Sequence, residues 1–288
     1  MGSALIVGGD SLIGSVLGEQ CRAAGLATEV TSRRSGAALL FDLGNPDFSR
    51  LAGRCYDVAF LCAAVTDMRT CQNEPLATRH INVDNTIELM RRLADKGTHL
   101  VFFSTSQVFD GTAQAPAEDA VANPRNQYGA QKRAVERAIA RYDFPAAILR
   151  ITKVLGDRPT GIFEAWRRAL AGDGSIQAAT NLALSPVAAG DAGSLARQLA
   201  AGRHRGIWHL GAADSLTYVE AARLLVESAG QPSSRVVGDA LTEAQVPSIL
   251  RLGNARLACA KIARTFGIVP KPARDILGKH FAAAAACV

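Results

Sequence analysis

The sequence predicts an α/β fold, a doubly wound parallel sheet. Three observations carry that prediction: short runs of uninterrupted apolar residues, helix-patterned segments between them, and a glycine turn directly behind the first run. A strand buried on both faces in a parallel sheet has no polar alternation, so residues 4–7 (Ala-Leu-Ile-Val), ending in Gly8-Gly9, read as the first strand. A helix follows over 12–24. Residues 28–31 and 38–41 supply a second strand and a short third one that runs into Asp42-Leu43. Residues 58–63 and 100–104 are buried strands of the same kind. Between them Val83, Ile87, Met90 and Ala94 recur at steps of four, three and four, which puts one apolar stripe on a helix that Gly97 ends. A helix over 127–140 and a strand over 146–151 complete the alternation, with right-handed crossovers.

After Lys153 the texture changes to Gly, Pro, Asp and Asn punctuation, with helices over 162–171 and 217–229. Residues 192–201 and 206–210 read again as a helix and a strand of the main sheet, so a smaller C-terminal region is interleaved with it. The expected organisation is 1–152, with 186–212 added to its sheet, and a second region made of 153–185 and 213–288. The alanine run 282–286 ends a helix.

At 288 residues the chain can bury a large core, and 48% hydrophobic with 20% charged residues excludes a disordered or tail-like protein. Lys and Arg number 32 against 26 Asp and Glu, a net +6 that is scattered, so no nucleic-acid patch is expected and some arginines are available to phosphate or carboxylate groups of a small ligand. The cysteines Cys21, Cys55, Cys62, Cys71, Cys259 and Cys287 form no CxxC and no zinc-ligand spacing, so no structural metal is expected. The first apolar run lacks a basic leader, and no apolar stretch reaches membrane-spanning length. The expected setting is a reducing cytoplasm with free thiols.

Gly8-x-x-Ser11-x-x-Gly14 follows the first strand and opens the first helix, where backbone amides such as those of Leu12 and Ile13, with the helix dipole, can hold a pyrophosphate; an ordinary strand-to-helix turn is the alternative. Ser11 stands where a third glycine is usual and can offer phosphate a hydroxyl instead. Ser32, Arg33 and Arg34 end the second strand, where the adenosine ribose of a dinucleotide sits. With no acidic residue in that loop to take the 2′-hydroxyl, the guanidinium groups suit a 2′-phosphate, which favours NADP(H) over NAD(H) unless both arginines are merely solvated. Asp42 and Leu43 are positioned to contact adenine, or Asp42 caps a helix.

Tyr128 and Lys132 lie four residues apart on one helix face. A lysine beside a tyrosine favours the phenolate, drawing its pKa from about 10 toward neutrality and suiting it to acid–base work on an alcohol/ketone pair. The spacing alone is also that of a surface aromatic beside a solvated lysine, but Ser104-Thr105-Ser106, at the carboxyl end of a central strand, can supply a hydroxyl to the same carbonyl.

The glycine turn at Gly8 is joined by Leu61-Cys62-Ala63-Ala64, Cys71-x-x-x-Pro75, Asn82-Val83-x-x-Thr86, Ser104-Thr105-x-x-Val108-Phe109-Asp110-Gly111, Tyr128-x-x-x-Lys132, Leu149-Arg150 and Ser185-Pro186 with Asp191. Together these resemble the extended short-chain dehydrogenase/reductase superfamily over nearly the whole chain, and the Val-Phe-Asp-Gly stretch resembles its dTDP-4-dehydrorhamnose reductase-like branch. The resemblance implies a Rossmann-type sheet with a C-terminal substrate-binding region, and an NADP-dependent oxidoreductase that reduces the keto group of a sugar, a nucleotide-linked 4-keto sugar, in surface-polysaccharide or secondary-metabolite sugar synthesis.

By the same resemblance Tyr128 is the proton donor, Lys132 binds the nicotinamide ribose and tunes Tyr128, and Thr105 hydrogen-bonds the carbonyl. Asn82 supports the site from a helix; Cys62, Ala63 and Ala64 line the cofactor, and Thr66, Ser106, Val108, Phe109, Lys153 and Ser185 line the substrate. The implied partner is a sugar or sugar nucleotide, with no nucleic acid or membrane, and a homodimer is one assembly open to it. Ser11, Cys62 (for a frequent asparagine), Asn85 (for a glycine) and Lys153 (for a tryptophan against the sugar) depart from the branch. Lys153 then either meets an anionic or hydroxyl group of the substrate or is a packing lysine whose head reaches solvent or Asp157. An epimerase or dehydratase that keeps its dinucleotide, and a non-catalytic regulatory subunit of the same fold, are the alternative functions.

Overall fold

The computed structural model describes residues 2–247, 249 and 253–285; Cys287 and the last alanine of the run, Ala286, lie outside the described residues. In chain order the first part contains β1 (Ser3–Val7), α1 (Leu12–Ala23), β2 (Ala27–Ser32), β3 (Leu39–Leu40), β4 (Val58–Leu61), α2 (Met68–Asn73), α3 (Pro75–Arg79), α4 (Thr86–Ala94), β5 (His99–Thr105), α5 (Gln127–Arg141) and β6 (Ala146–Ile151). Then come β7 (Lys153–Leu155), α6 (Ile162–Ala171), β8 (Ile176–Ala179), β9 (Ala183–Leu184), β10 (Pro186–Ala188), α7 (Ala189–Ala201), β11 (Gly206–Leu210), β12 (Leu216–Thr217), α8 (Tyr218–Ser228), β13 (Val236–Asp239), α9 (Ala260–Phe266) and α10 (Ala273–Ala285).

Seven strands form one sheet in the order β11-β6-β5-β4-β1-β2-β3. β1 pairs in parallel with β2 (Ile6 opposite Val30) and with β4 (Val7 opposite Leu61), and β4 pairs in parallel with β5. The chain moves outward from β1 in one direction through β2 and β3, and in the other through β4, β5 and β6. The order therefore reverses between β1 and β4, and a sheet of this type opens a crevice beyond the carboxyl ends at that point. Leu5, Val7, Ala59, Leu61, Leu100 and Phe102 pack beneath α4 and α5 as the core that fixes those strand ends.

α4 departs from the pattern read in the sequence. Its stripe begins at Val83, but His80–Asn85 is a π-helical segment and the α-helix starts only at Thr86. The cause is Asn82, whose amide is taken by the backbone of Val65, while the Thr86 hydroxyl donates to Ile81 O at 3.0 Å.

The molecule divides into two compact units, Met1–Phe109 with Val121–Arg150 and Ala189–Trp208, and Asp110–Ala120 with Ile151–Ala188 and His209–Val288. Residues 110–120 therefore group with the second unit, and so do 186–188, contrary to the expected boundaries. Backbone pairing decides it: Asn254 N donates to Gly111 O at 3.1 Å, Ala258 N to Pro116 O at 3.0 Å, and β10 pairs with β7. The second unit holds its own core of Phe163, Trp166, Ile176, Leu225, Leu277 and Phe281. Its two-stranded ladders β10-β7, β12-β9 and β13-β8 are too short to leave an apolar period in the sequence.

In the first unit α5 is tied to the sheet by a buried ion pair. Arg150 on β6 donates to Glu136 from Nε (2.9 Å) and Nη2 (2.8 Å), and Ser104 on β5 donates its hydroxyl to the same carboxylate at 2.7 Å. Burial alone would raise the Glu136 pKa, but the bonds and charge of Arg150, with Ser104 and Arg133, reverse this and hold it below the usual glutamate value. Arg150→Leu should therefore leave the buried carboxylate with only Ser104 and the peripheral Arg133 to hold it and destabilise the fold by up to about 3 kcal/mol, read as a lowered urea midpoint at neutral pH. Because the folded-state pKa is depressed, the stabilising contribution of the parent pair is present above the ordinary carboxylate value. It is lost as pH falls through the folded value, so the gap between parent and variant should close in acid.

Candidate active site

The glycine turn is built by close approach. Gly8 has φ +91°, and a Cβ there would stand 2.7 Å from Ala63 N, behind β4. Gly8 N donates to Thr31 Oγ1 (2.9 Å) and Gly9 N to Thr31 O (2.8 Å), which draws the turn against the end of β2. Ser11 is the N-cap of α1: its hydroxyl donates to Gly8 O (2.7 Å) and accepts from Gly14 N (3.1 Å). In this arrangement the proton of Ser11 serves the turn, where the sequence offered it to a phosphate. The amides of Leu12 and Ile13 keep no acceptor among the described residues, so the helix start fits the pyrophosphate of a dinucleotide.

The loop at the end of β2 contains no acid of its own, but one faces it from the glycine turn. Asp10 accepts from Ser32 Oγ at 2.6 Å and from Arg33 N at 3.3 Å, and its other oxygen lies 3.4 Å from Arg34 Nε. The Ser32 bond is the main cause of a lowered Asp10 pKa, with desolvation opposing it and the Arg33 amide and Arg34 charge adding to it. Asp42 is not a helix cap: its carboxylate accepts from Gly44 N at 2.8 Å, and Asp47 caps the short 3-10 turn that follows. The Leu43 side chain is buried in the core, and its carbonyl receives the Asn85 amide at 2.7 Å, a use for the side chain that departs from the family's glycine.

The loop behind β4 is held from below. Cys62 N and Ala63 N both donate to Val7 O at 2.9 Å. Asn82 accepts from Val65 N (2.8 Å) and donates to Val65 O (2.9 Å) and Gln131 Oε1 (2.7 Å), so its polar atoms position residues 62–66 and are not free for a cofactor. Gln131 passes the chain of bonds on to Thr78 Oγ1 at 2.8 Å. Thr66 is exposed beside this loop.

Tyr128, Lys132 and Thr105 meet at the carboxyl end of β5. Asn126 caps α5 by accepting from Gly129 N at 2.8 Å and reaches Gln107 Oε1 at 2.9 Å. A Cβ on Gly129 would overlap the carbonyl oxygen of Gln107, so only glycine lets the first turn of α5 settle there and bring Tyr128 to Thr105. Lys132 is buried, its Nζ donating to Phe103 O at 2.9 Å, 4.7 Å from the Phe102 ring centroid and 6.0 Å from that of Tyr128. Desolvation lowers its pKa to about 8, against the opposing influence of Cys62, Cys71 and Glu136.

The Tyr128 phenol is shifted up, not down: desolvation and the nearby Cys71 raise it, and only the hydrogen bond with Thr105 pulls the other way. The expected drift toward phenolate is therefore reversed, because removing the phenol from water disfavours its charged form more than the Thr105 hydroxyl favours it. Ser104 is turned to Glu136 and leaves the carbonyl position to Thr105. Ser106 and Phe109 are buried, the latter 5.0 Å beneath the Arg150 guanidinium, and Val108 is fully enclosed and can only pack.

In the second unit Lys153 is exposed, with Nζ 5.9 Å from the Phe163 ring centroid and no carboxylate at ion-pair distance among the described residues. Of the two packing alternatives for its head, solvent or Asp157, the second is not seen: Asp157 is not at ion-pair distance from it, and both charges act on His280. Ser185 is buried with its hydroxyl unpartnered, as is that of Thr152. Asp10, Gln107, Asn126, Gly129 and Gln131 escaped sequence reasoning, though an asparagine cap followed by a glycine in the first turn of a helix is a readable sign of close packing.

A profile of the RmlD substrate binding domain matches residues 2–285. The chain belongs to that family. It lies in the extended short-chain dehydrogenase/reductase superfamily. The chain is 28% identical over 216 residues to methionine adenosyltransferase 2 subunit beta of Bos taurus, a match covering 72% of this chain and only 64% of that protein's length. It is 29% identical over 237 residues to dTDP-4-dehydrorhamnose reductase of Mycolicibacterium smegmatis, covering 81% of this chain and 71% of the relative. The crystal structure of a dTDP-4-dehydrorhamnose reductase from Bacillus anthracis in complex with NADP superposes with TM-score 0.86 over 98% of this chain and 99% of that one at 19% identity, a likeness of fold. No helix among the described residues is long and apolar enough to cross a membrane, and no group of three or more His, Cys, Asp or Glu among them is placed to hold a metal ion.

A buried lysine with a depressed pKa opposes folding wherever the unfolded chain still holds the proton. Between about pH 8 and 10.5 the unfolded state binds more protons at this site, so the Lys132 contribution to stability rises with pH. Lys132→Met should be more stable than the parent at pH 7, by up to about 3 kcal/mol, with the difference shrinking as pH approaches 10.5. Urea midpoints of both proteins across that range test it, and a constant difference would sink the assignment.

Proposed function

We propose that this protein reduces the keto group of a sugar, a nucleotide-linked 4-keto sugar, with a nicotinamide dinucleotide, NADP(H) favoured. The observation that carries the reading is the group at the end of β5: a buried phenol kept neutral by desolvation, near the Thr105 hydroxyl, with a buried ammonium beneath it. A reductase needs a proton donor, and a phenol whose pKa is raised stays protonated at neutral pH until a stronger base forms next to it. The dinucleotide, when bound along the glycine turn, supplies the hydride. Thr105 donates to the carbonyl oxygen, Tyr128 gives that oxygen its proton as negative charge develops, and Lys132 steadies the phenolate left behind. The relatives named dTDP-4-dehydrorhamnose reductase support the sugar, and Arg33 and Arg34 support the 2′-phosphate, against the opposing carboxylate of Asp10.

A second reading, a dinucleotide-binding regulatory subunit, draws on the likeness to methionine adenosyltransferase 2 subunit beta. A subunit that only binds has no use for a proton donor, so the two separate on turnover. Tyr128→Phe should leave dinucleotide affinity within about twofold while cutting kcat by about two to four decades. Calorimetry and stopped-flow assays with a nucleotide-linked keto sugar check both halves; absent turnover in the parent with intact binding would favour the regulatory reading.

Lys153 is assigned to an anionic group of the substrate. An unpaired ammonium against an aromatic face recognises charge where the branch has an apolar stacking surface. The parent should therefore prefer an acidic over a neutral keto sugar, and Lys153→Met should lose that preference mainly in kcat/KM. Equal discrimination by parent and variant would leave Lys153 as packing.

A further inference from the structure

The donors that would greet a 2′-phosphate at the end of β2 are already turned to one internal carboxylate. The Ser32 hydroxyl, the Arg33 amide and the Arg34 guanidinium, each suited to a phosphate oxygen, all address Asp10. The arrangement is closed from the other side as well, since Ser32 Oγ accepts from Arg34 N at 3.0 Å, which leaves its single proton for Asp10. The turn that carries Asp10 is pinned to this corner by the two bonds from Gly8 and Gly9 to Thr31, so the carboxylate is held there by backbone geometry and not by its own ion pair, in which Arg34 remains 81% exposed.

From this geometry we infer that Asp10 is a specificity-determining residue: its carboxylate occupies the 2′-phosphate donors as an internal anion and restrains the NADP(H) preference that Arg33 and Arg34 would otherwise impose. The inference rests on the dinucleotide reading above. A ribose 2′-hydroxyl can donate to Asp10 without disturbing the corner. A 2′-phosphate must displace the carboxylate from Ser32 and Arg34 or lie beside it, where two anions repel. The parent therefore favours NADPH over NADH by less than two arginines free for phosphate would give.

The test measures binding by calorimetry for NADH and NADPH, and for AMP and adenosine 2′,5′-bisphosphate, which probe the corner without the nicotinamide. Asp10→Asn keeps an acceptor for Ser32 and removes only the charge. It should raise the affinity for NADPH and for the bisphosphate about three- to tenfold while leaving NADH and AMP unchanged or weaker, and the gain should shrink at high salt. Arg34→Ala should then cost more NADPH affinity in the Asp10→Asn background than in the parent, because only there is the guanidinium free for phosphate. A NADPH/NADH ratio unmoved by Asp10→Asn, with NADH binding intact as the sign of a folded site, overturns the inference alone. Failure of the parent to bind either dinucleotide overturns it together with the cofactor reading.

Discussion

The active-site geometry depends on how closely the first turn of α5 can press against the strand end of β5. Tyr128 reaches Thr105 only because Gly129 presents no side chain to the Gln107 carbonyl, and Asn126 holds that approach by capping α5 and bonding Gln107 at once. Two turns further along, Glu136 is fastened to Ser104 on β5 and Arg150 on β6. The helix is therefore clamped at both ends of the segment that carries Tyr128 and Lys132. A displacement of about 1 Å is enough to spoil proton transfer, so a clamp of this kind is the form that rigidity has to take.

The same clamp creates the electrostatic conflict at the site. Pressing α5 down buries Lys132 against Phe102 and the Phe103 carbonyl, with no carboxylate bonded to it, since Glu136 one turn on is taken up by Arg150. Burial pushes the phenol up and the ammonium down, toward the neutral form of each. For a proton donor this is the useful direction: Tyr128 keeps its proton until the substrate oxygen demands it, and Lys132, with a pKa of about 8, is already the ammonium that stands against the phenolate left behind. The stability forfeited by Lys132 is of the kind active sites store, and Glu136, held by Arg150, offsets only part of it.

Where periodicity is long and the chain local, the sequence already contained the structure. The strand over 146–151 and the helix over 162–171 stand where the apolar runs put them, and residues 206–210 close the edge of the sheet. What escaped was set by partners far along the chain. The π-helical segment at His80–Asn85 exists because Asn82 is turned to Val65, and residues 110–120 belong to the second unit because Asn254 and Ala258 pair with them. Neither leaves a mark on local hydrophobic spacing. The reversed shift of Tyr128 escaped for a related reason: a spacing of four residues reports that a lysine is near, but not that both groups have left water.

Asp10 is the sharpest case of this limit. In the sequence it is 22 residues from Ser32, in a motif read for its glycines, and the loop after β2 offers only arginines. The parallel pairing of β1 with β2 brings the carboxyl ends of both strands to the same edge, and the residue that follows the first glycines is then forced to face the residues that end β2. Charge at the ribose corner is thus a property of two strand ends taken together. Reading it from the second strand alone counts the cations and misses the anion they already serve, which is why a chain with two arginines at that corner need not behave as if it had two free ones.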